Sequence, residues 1–244
     1  MKIAIIPARG GSKRIPRKNI KDFFGKPVIA YAIDAALASD CFDEVIVSTD
    51  DAEIADIAIL YGASVPFMRS TENASDTAGT VPVLLEVLGL KPADYTTICC
   101  IYPCNPFLTS EKVQEGLIKH LETGADSTFP VVAYSYPPQR ALRIANGNAK
   151  MLHPQHYPTR SQDLEKIYHD AGQFYWLNVK AVKEQQKLFM AKSTPLIYRE
   201  TEVQDIDTLE DWTLAEVKYQ LWRNNSQSLS LGQAPKAQAS ITPV

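Results

Sequence analysis

Arg9, Lys13, Arg14, Arg17 and Lys18 crowd around a Gly10-Gly11 pair, and no carboxylate precedes Asp22. A short β-branched run, Lys2 to Ile6, leads into them and reads as a buried parallel strand. A glycine turn lets the backbone approach a ligand closely and take positive φ, so this much cationic charge at the end of a first strand suits a polyphosphate. Ser12 and Asn19 are the neutral polar groups of the loop. Neither G-x-x-x-x-G-K-[ST] nor G-x-G-x-x-G is present, which excludes a P-loop and a dinucleotide fingerprint. Near the other end, Asp205 and Asp207 are two apart, so in an extended segment both carboxylates can face one divalent cation. Capping of the following helix is an equally good local role for Asp207. Taken alone, Arg69 and the segment Asn73 to Thr80 read as the approach to a helix N-terminus, which one of these residues is expected to cap. His153 and His156 form H-x-x-H, but Pro154 and Pro158 oppose the helix that would converge their rings on zinc.

These groups need a scaffold, and the hydrophobic pattern supplies one. Strands are expected at Lys2–Ile6, Glu44–Thr49, Val65–Met68, Thr96–Tyr102, Thr128–Tyr134, Gln173–Leu177 and Leu196–Arg199. Helices are expected over 27–38, Ala52–Tyr61 (capped by Asp50 or Asp51 and closed by Gly62), Thr80–Leu88, Ser110–Glu122 and Thr208–Arg223. Such alternation predicts an α/β, doubly wound, mainly parallel sheet with its ligand crevice beyond the carboxyl ends of the strands. Residues 136–166, rich in Pro, Asn and Gly, break the pattern and read as a hairpin arm or lid. The domain is expected to span 1–223, with 224–244, which hold one charged residue, as a disordered tail.

The 244 residues are enough for one such domain. A hydrophobic content of 45%, a charged content of 22% and a net charge of −3 fit a soluble globule and oppose general nucleic-acid binding. No apolar run reaches membrane-spanning length and no signal-peptide pattern is visible, so a cytoplasmic location is expected. The four cysteines form no C-x-x-C; Cys99 and Cys100 are adjacent in a strand and point to opposite faces, which fits reduced thiols.

The segment Ile-Pro-Ala-Arg-Gly-Gly-Ser-Lys-x-Ile-Pro-x-Lys-Asn resembles the signature of the CMP-nonulosonate synthetases, cytidylyltransferases that activate sialic-acid-like sugars. Asp-Ile-Asp-Thr-x-x-Asp-Trp, at 205–212, is a second mark of the family, and the resemblance covers about residues 1–222. It implies in-line attack of a sugar hydroxyl on the α-phosphorus of CTP, with pyrophosphate leaving. Arg9, Ser12, Lys13, Lys18 and Asn19 would hold the triphosphate, with Gly11 in the turn. Arg69, Ala78 and Thr80 would sit beside cytosine, with Pro7 and Ala8 closing the pocket. Asp205 and Asp207 would take magnesium, whereas Asp211 is expected on the helix face and Arg14 and Arg17 in solvent. Arg9, Lys18 and Asp207 are the expected catalytic groups. No general base can be named.

For the sugar, a carboxylate beside the anomeric carbon needs an arginine, and Arg140 or Arg160 is the candidate. Gln162 and the loop 102–108, with Tyr102 and Asn105, complete the expected pocket. Where the sialic-acid branch has Gln-Pro-Thr-Ser-Pro-Leu-Arg, this chain has Tyr102 and, at the end, Leu108; loss of an amide and gain of an aromatic surface suit a deoxygenated sugar. Tyr168 to Trp176 resembles the branch that acts on pseudaminic acid, and Cys104-Asn105 departs from the Thr-Ala usual there. The rivals are a synthetase for N-acetylneuraminate or 3-deoxy-manno-octulosonate, a GT-A glycosyltransferase, whose Asp-x-Asp would stand mid-chain, and a non-enzymic CTP sensor. The family resemblance also implies a homodimer in which the arm reaches the partner.

Overall fold

The structure, a computed structural model, describes residues 1–231. In chain order the main elements are β1 (Lys2–Pro7), β2 (Asp22–Phe23), β3 (Lys26–Pro27), α1 (Val28–Ala38), β4 (Glu44–Ser48), α2 (Ala52–Leu60), α3 (Thr80–Leu90), β5 (Thr97–Ile101) and α4 (Ser110–Thr123). There follow β6 (Ser127–Ala133), β7 (Leu142–Ala145), β8 (Asn148–Met151), β9 (Tyr168–Asp170), β10 (Phe174–Asn178), α5 (Val179–Gln185), β11 (Ser193–Tyr198) and α6 (Leu209–Leu231). The central sheet has seven strands in the order β11-β6-β10-β5-β1-β4, with β9 also on β6. The pairs β1–β4, β1–β5 and β6–β11 are parallel, and β10 and β9 run antiparallel to their neighbours. This is the expected mainly parallel α/β sheet.

Both faces are covered, which is why the strands read as apolar runs rather than alternations. Ile29 and Ile33 of α1, Ile54 and Ala58 of α2 and Val113 of α4 pack on one face with Cys99, Ile101 and Trp176. Leu84 and Val87 of α3 and Val182 of α5 pack on the other with Ile5, Cys100, Tyr175 and Leu177. Cys99 and Cys100 therefore do face opposite layers, and all four cysteines are free thiols. Gly116 is where α4 meets the sheet most closely. A Cβ there would lie 2.7 Å from both Phe174 Cε2 and Trp176 Cδ1, and the indole Nε1 donates to the Val113 carbonyl at 3.1 Å. Gly116→Ala is expected to destabilise the fold by about 1–3 kcal/mol, lowering Tm by about 3–10 °C, because two buried rings must shift; thermal unfolding measures it, and an unchanged Tm would contradict this packing.

Several elements differ from expectation. Val65–Met68 forms no strand: Ser64 alone bridges Ile46, and Pro66 has no N–H to continue a ladder. Asp51, rather than Asp50, caps α2, its Oδ1 accepting from the Ile54 N–H at 3.0 Å. The pattern missed α5, β9 and the small β2–β3 hairpin, all too short to show a period. Helix α6 runs past Arg223 to Leu231. The rest of the expected tail, 232–244, lies outside the described residues. The arm expected at 136–166 is a hairpin of β7 and β8 flanked by short turns.

Every long loop of the site leaves the same edge of the sheet. The carboxyl ends of β1, β4 and β5 deliver residues 8–19, 49–51 and 102–109. Because β10 is antiparallel, its start, at Gly172 and Gln173, reaches the same edge. A third core cluster ties these loops together: Ile15 from the cationic loop, Phe107 from the loop after β5 and Ile206 from between the two aspartates pack with Trp212 and Tyr219 of α6. Each of the three is 1% exposed, and burial of Ile15 and Ile206 turns their charged neighbours Arg14, Asp205 and Asp207 toward the cleft.

Candidate active site

An open cleft of about 530 Å³ lies at this edge. Its walls include Pro7, Arg9, Ser12, Lys13, Lys18 and Asn19 from the cationic loop, and Arg69, Ala78 and Thr80 from the segment before α3. Tyr102, Asp205 and Asp207 complete the expected residues that it gathers. Segments up to 200 positions apart in sequence thus form one site.

The cations are held by carboxylates across the cleft. Arg9 Nη1 meets Asp76 Oδ1 at 2.9 Å, and Lys13 pairs with Asp76 Oδ2. Lys13 first, and Arg9 after it, hold the Asp76 carboxyl below the ordinary range. Arg14 is exposed, as expected, and its guanidinium also lies 2.8 Å from Asp207 Oδ1. Lys18 Nζ donates to the Ile206 carbonyl at 2.6 Å and to Asp207 Oδ1 at 3.3 Å. A triphosphate entering this cleft would take over cations that the protein already presents to oxygen anions.

Asn19 acts mainly as a brace. It is 5% exposed, its Nδ2 donates to the Arg9 carbonyl at 2.9 Å, and its Oδ1 accepts from Cys104 Sγ at 3.3 Å. Burial pushes the Cys104 thiol up to about 12, which keeps it a donor. The glycine that geometry requires is Gly10: a Cβ there would lie 2.7 Å from Asp51 Oδ2, whereas Gly11 has open space around it. Neither takes positive φ; the left-handed residue is Arg17, at φ 55°.

Arg17 was expected in solvent but is a strut. Its Nη2 donates to Asp51 Oδ1 at 3.0 Å, and its guanidinium also pairs with Asp51 Oδ2 and Glu53. The hydrogen bond that Arg17 donates to Asp51 leads in raising the Arg17 pKa, and Asp51 is held below the usual carboxylate range by the same contact. Asp50 Oδ1 takes the Gly10 N–H at 2.8 Å. The loop is therefore fixed to α2 from two sides. Asp51→Asn is expected to raise the KM for the nucleotide about fivefold, the equivalent of ~1 kcal/mol for a half-exposed pair, with kcat nearly kept. Arg17→Gln should do the same, and the double variant should be no worse than either; additive losses in steady-state kinetics would show that the pair does not act as a unit.

Arg69 is 7% exposed. Its Nε donates to Ser48 Oγ at 3.0 Å and its Nη2 to the Ser48 carbonyl, while Nη1 has no partner among the described residues. Burial lowers its pKa. Ala8 does not line the cleft: it is fully buried, with its N–H on the Ser48 carbonyl at 2.9 Å.

The two aspartates differ. Asp211 turns back rather than lying along the helix face, and its Oδ2 accepts the Asp207 and Thr208 N–H groups at 3.1 and 2.7 Å. Asp211 and Thr208 thereby cap α6, and Asp207 is left to face the cleft. The Asp205 carboxylate makes no hydrogen bond or ion pair among the described residues. Desolvation by the surrounding cleft wall, and next the like charge of Asp207, push it above the ordinary carboxylate range. Gly172, at φ 62°, makes room: a Cβ there would lie 3.3 Å from Asp205 Cγ. A glycine before an apolar strand was the available signal for this contact. Two unlike carboxylates, one unpaired, with no group of three ligands among the described residues, fit a hard cation that completes its shell with phosphate oxygens and water.

The expected sugar residues are not all gathered. Tyr102 lines the cleft, and its hydroxyl lies 3.1 Å from Thr80 Oγ1. Asn105 is 1% exposed, below the cleft surface, and its side-chain oxygen and nitrogen lack partners among the described residues. Arg140, Arg160 and Gln162 stay on the arm, outside this chain's cleft. Arg140 donates to Ser161 Oγ and the Thr159 carbonyl at 3.2 and 3.1 Å, and Arg160 to Asp163 Oδ2 at 2.8 Å. The excursion that carries them rejoins the sheet where β9 pairs with β6.

A family model described as "Cytidylyltransferase" matches residues 3–236. The chain belongs to the cytidylyltransferase family. It is 41% identical over 223 residues to the pseudaminic acid cytidylyltransferase of Campylobacter jejuni, covering 90% of this chain and 96% of that protein. It is 35% identical over 224 residues to the CMP-N,N'-diacetyllegionaminic acid synthase of Legionella pneumophila, covering 88% and 94%. A solved CMP:2-keto-3-deoxy-manno-octonic acid synthetase complexed with CTP superposes with a TM-score of 0.65, covering 91% of this chain and 99% of that one; at 19% identity it shares the fold. In this cytidylyltransferase, then, the cationic loop and the Asp205–Asp207 pair face each other across one cleft, with Lys18 touching both. No helix among the described residues is long and apolar enough to cross a membrane.

Proposed function

We propose that this cytidylyltransferase transfers CMP from CTP to the anomeric hydroxyl of pseudaminic acid. The anomeric oxygen attacks the α-phosphorus, the bond from that phosphorus to the bridging oxygen breaks, and pyrophosphate departs with the electron pair; the hydroxyl proton passes to a base that no residue of the cleft can be assigned. The observation that carries the reading is the single cleft in which Arg9, Lys13 and Lys18 stand opposite Asp205 and Asp207.

Arg9 and Lys13 would take the triphosphate in exchange for Asp76, and the unpartnered Nη1 of Arg69 is suited to an acceptor on the base. Asp205 and Asp207 would hold magnesium, which when bound draws charge from the phosphate oxygens. Lys18 and Arg14 join the two halves of the site, so phosphate binding and the carboxylates would be coupled through them. The named residues of the cleft serve alignment and charge neutralisation.

Pseudaminic acid is favoured by the more similar relative and by Tyr102, which gives the cleft an aromatic wall where an amide would serve a more hydroxylated sugar. The legionaminic acid synthase at 35% identity supports a related nonulosonate as the second reading. Arg140, Arg160 and Gln162, held outside their own cleft, support a homodimer in which the arm completes the partner's sugar site. A cytoplasmic setting suits CTP as substrate.

Pyrophosphate release from CTP, with pseudaminic acid and separately with N-acetylneuraminic acid, with and without magnesium, tests the reading. Magnesium-dependent release with pseudaminic acid is expected. Release only with N-acetylneuraminic acid would overturn the sugar and keep the reaction; no release with either would remove both.

A further inference from the structure

Asp76 lies in the segment expected to cap α3, yet it caps nothing. The helix starts from Gly79, and no side chain accepts its first N–H groups. Among the described residues the Asp76 carboxylate takes no backbone N–H either. Its partners are two cations of the opposite loop, Arg9 at Oδ1 and Lys13 at Oδ2. All three residues line the cleft. Arg9 Nη1 also donates to the Ser75 carbonyl at 3.1 Å, so the turn that carries Asp76 rests on the cationic loop.

These pairs face water: the side chains of Arg9, Lys13 and Asp76 are 35%, 78% and 47% exposed. Exposed ion pairs add little to the stability of a fold. Their effect on a ligand is larger, because arginine and lysine meet carboxylate and phosphate oxygens with the same donors. A tethered carboxylate on those donors excludes a free phosphate until it is displaced.

We propose that Asp76 is a resident anion of the phosphate subsite: it occupies Arg9 and Lys13 in the empty enzyme, yields them to the triphosphate and takes them back as pyrophosphate leaves. The inference rests on the reading of the cleft as a CTP site. Between turnovers Asp76 holds two mutually repelling cations in place. An anion that must be displaced weakens every phosphate ligand of those cations by one common factor, set by the fraction of enzyme in which they are free. Weaker binding of CTP is therefore matched by weaker retention of pyrophosphate, the product that carries the same phosphates.

Asp76→Asn keeps the shape and removes the charge, whereas Asp76→Glu keeps the charge. Calorimetry in the presence of magnesium measures binding of CTP, pyrophosphate and inorganic tripolyphosphate without the sugar. Steady-state kinetics give the inhibition constant for pyrophosphate, and melting curves show that each variant is folded.

In Asp76→Asn all three ligands are expected to bind about three- to tenfold more tightly, by one common factor, with the pyrophosphate inhibition constant falling in step. Asp76→Glu should lie between the parent and Asp76→Asn. Weaker binding of CTP by folded Asp76→Asn would overturn the proposal and make Asp76 a brace for the segment leading to Ala78 and Thr80. Unchanged binding would overturn it too, leaving the pairs without effect on ligands. Tripolyphosphate carries no base and so separates the proposal from the reading beneath it. If the parent binds tripolyphosphate but not CTP, the CTP reading fails, and the tripolyphosphate ratio between variant and parent decides the exchange. If it binds neither, both fail. Should Asp76→Asn not fold, Asp76→Ser, which also removes the charge, decides by the same ratios.

Discussion

Lys18→Ala is expected to lower kcat/KM for CTP by about 10²–10³-fold, the loss typical of one preorganised charge aimed at a developing anion. The side chain is only 20% exposed, and its ammonium lies between the Ile206 carbonyl and Asp207 Oδ1. Alanine removes a charge proposed to face phosphate and, with it, a side chain that, beside Arg14, joins the cationic loop to the aspartate segment. It also leaves the Ile206 carbonyl and the Asp207 carboxylate with one donor fewer in a part-buried site. Lys18→Arg should recover part of the rate, since charge is kept but the tight fit is not. Steady-state pyrophosphate release with CTP varied measures both, and a loss below about threefold in Lys18→Ala would exclude this role.

Asp205→Asn should abolish most activity at ordinary magnesium concentrations, by about 10²–10³-fold in kcat/KM, with partial recovery as the metal is raised. Asp205 is the unpaired carboxylate of the cleft, whereas Asp207 is engaged by Arg14 and Lys18. Desolvation, with Asp207 second, raises the Asp205 pKa. The sign follows: a raised pKa favours the protonated form, so protons compete with the cation at a higher pH than at an ordinary carboxylate. The magnesium concentration for half-maximal rate should therefore rise as pH falls toward the carboxylate range, beginning above that range, and Asp205→Asn should flatten the dependence. Magnesium titrations at several pH values measure this. A variant with the parent's magnesium dependence would remove Asp205 from the metal site.

What could be read in advance were properties carried by neighbours in sequence. The strand–glycine–cation order at 2–19, the Asp-x-Asp at 205–207 and the strand–helix alternation are local patterns, and each reappears in the structure close to its expected bounds. The cap of α2, offered by Asp50 or Asp51, was legible because capping reaches only three residues. Short elements were not: α5 and β9 hold seven and three residues, too few to show a period. Val65–Met68 had the composition of a strand but a proline in the ladder position.

The site residues divide along the same line. Arg9, Lys13, Lys18, Arg69, Thr80, Tyr102, Asp205 and Asp207 were recognisable by type and motif, because a charged or hydroxyl group at the end of a strand has few other uses. Their partners were not, because ion pairs and brace contacts join positions far apart. Arg17 looks like solvated charge until α2 brings Asp51 and Glu53 against it. Gly10, rather than Gly11, is the constrained glycine only because Asp51 packs on it. Asn105 looks like a pocket residue until the loop after β5 folds it beneath the surface. By itself the sequence determined the kind of fold, the family and the chemical groups that a phosphate and a cation would need, since these follow from local pattern and residue type. Only the tertiary structure decided which groups face one another and which glycine is closely approached, since those depend on contacts between distant segments that no local pattern encodes.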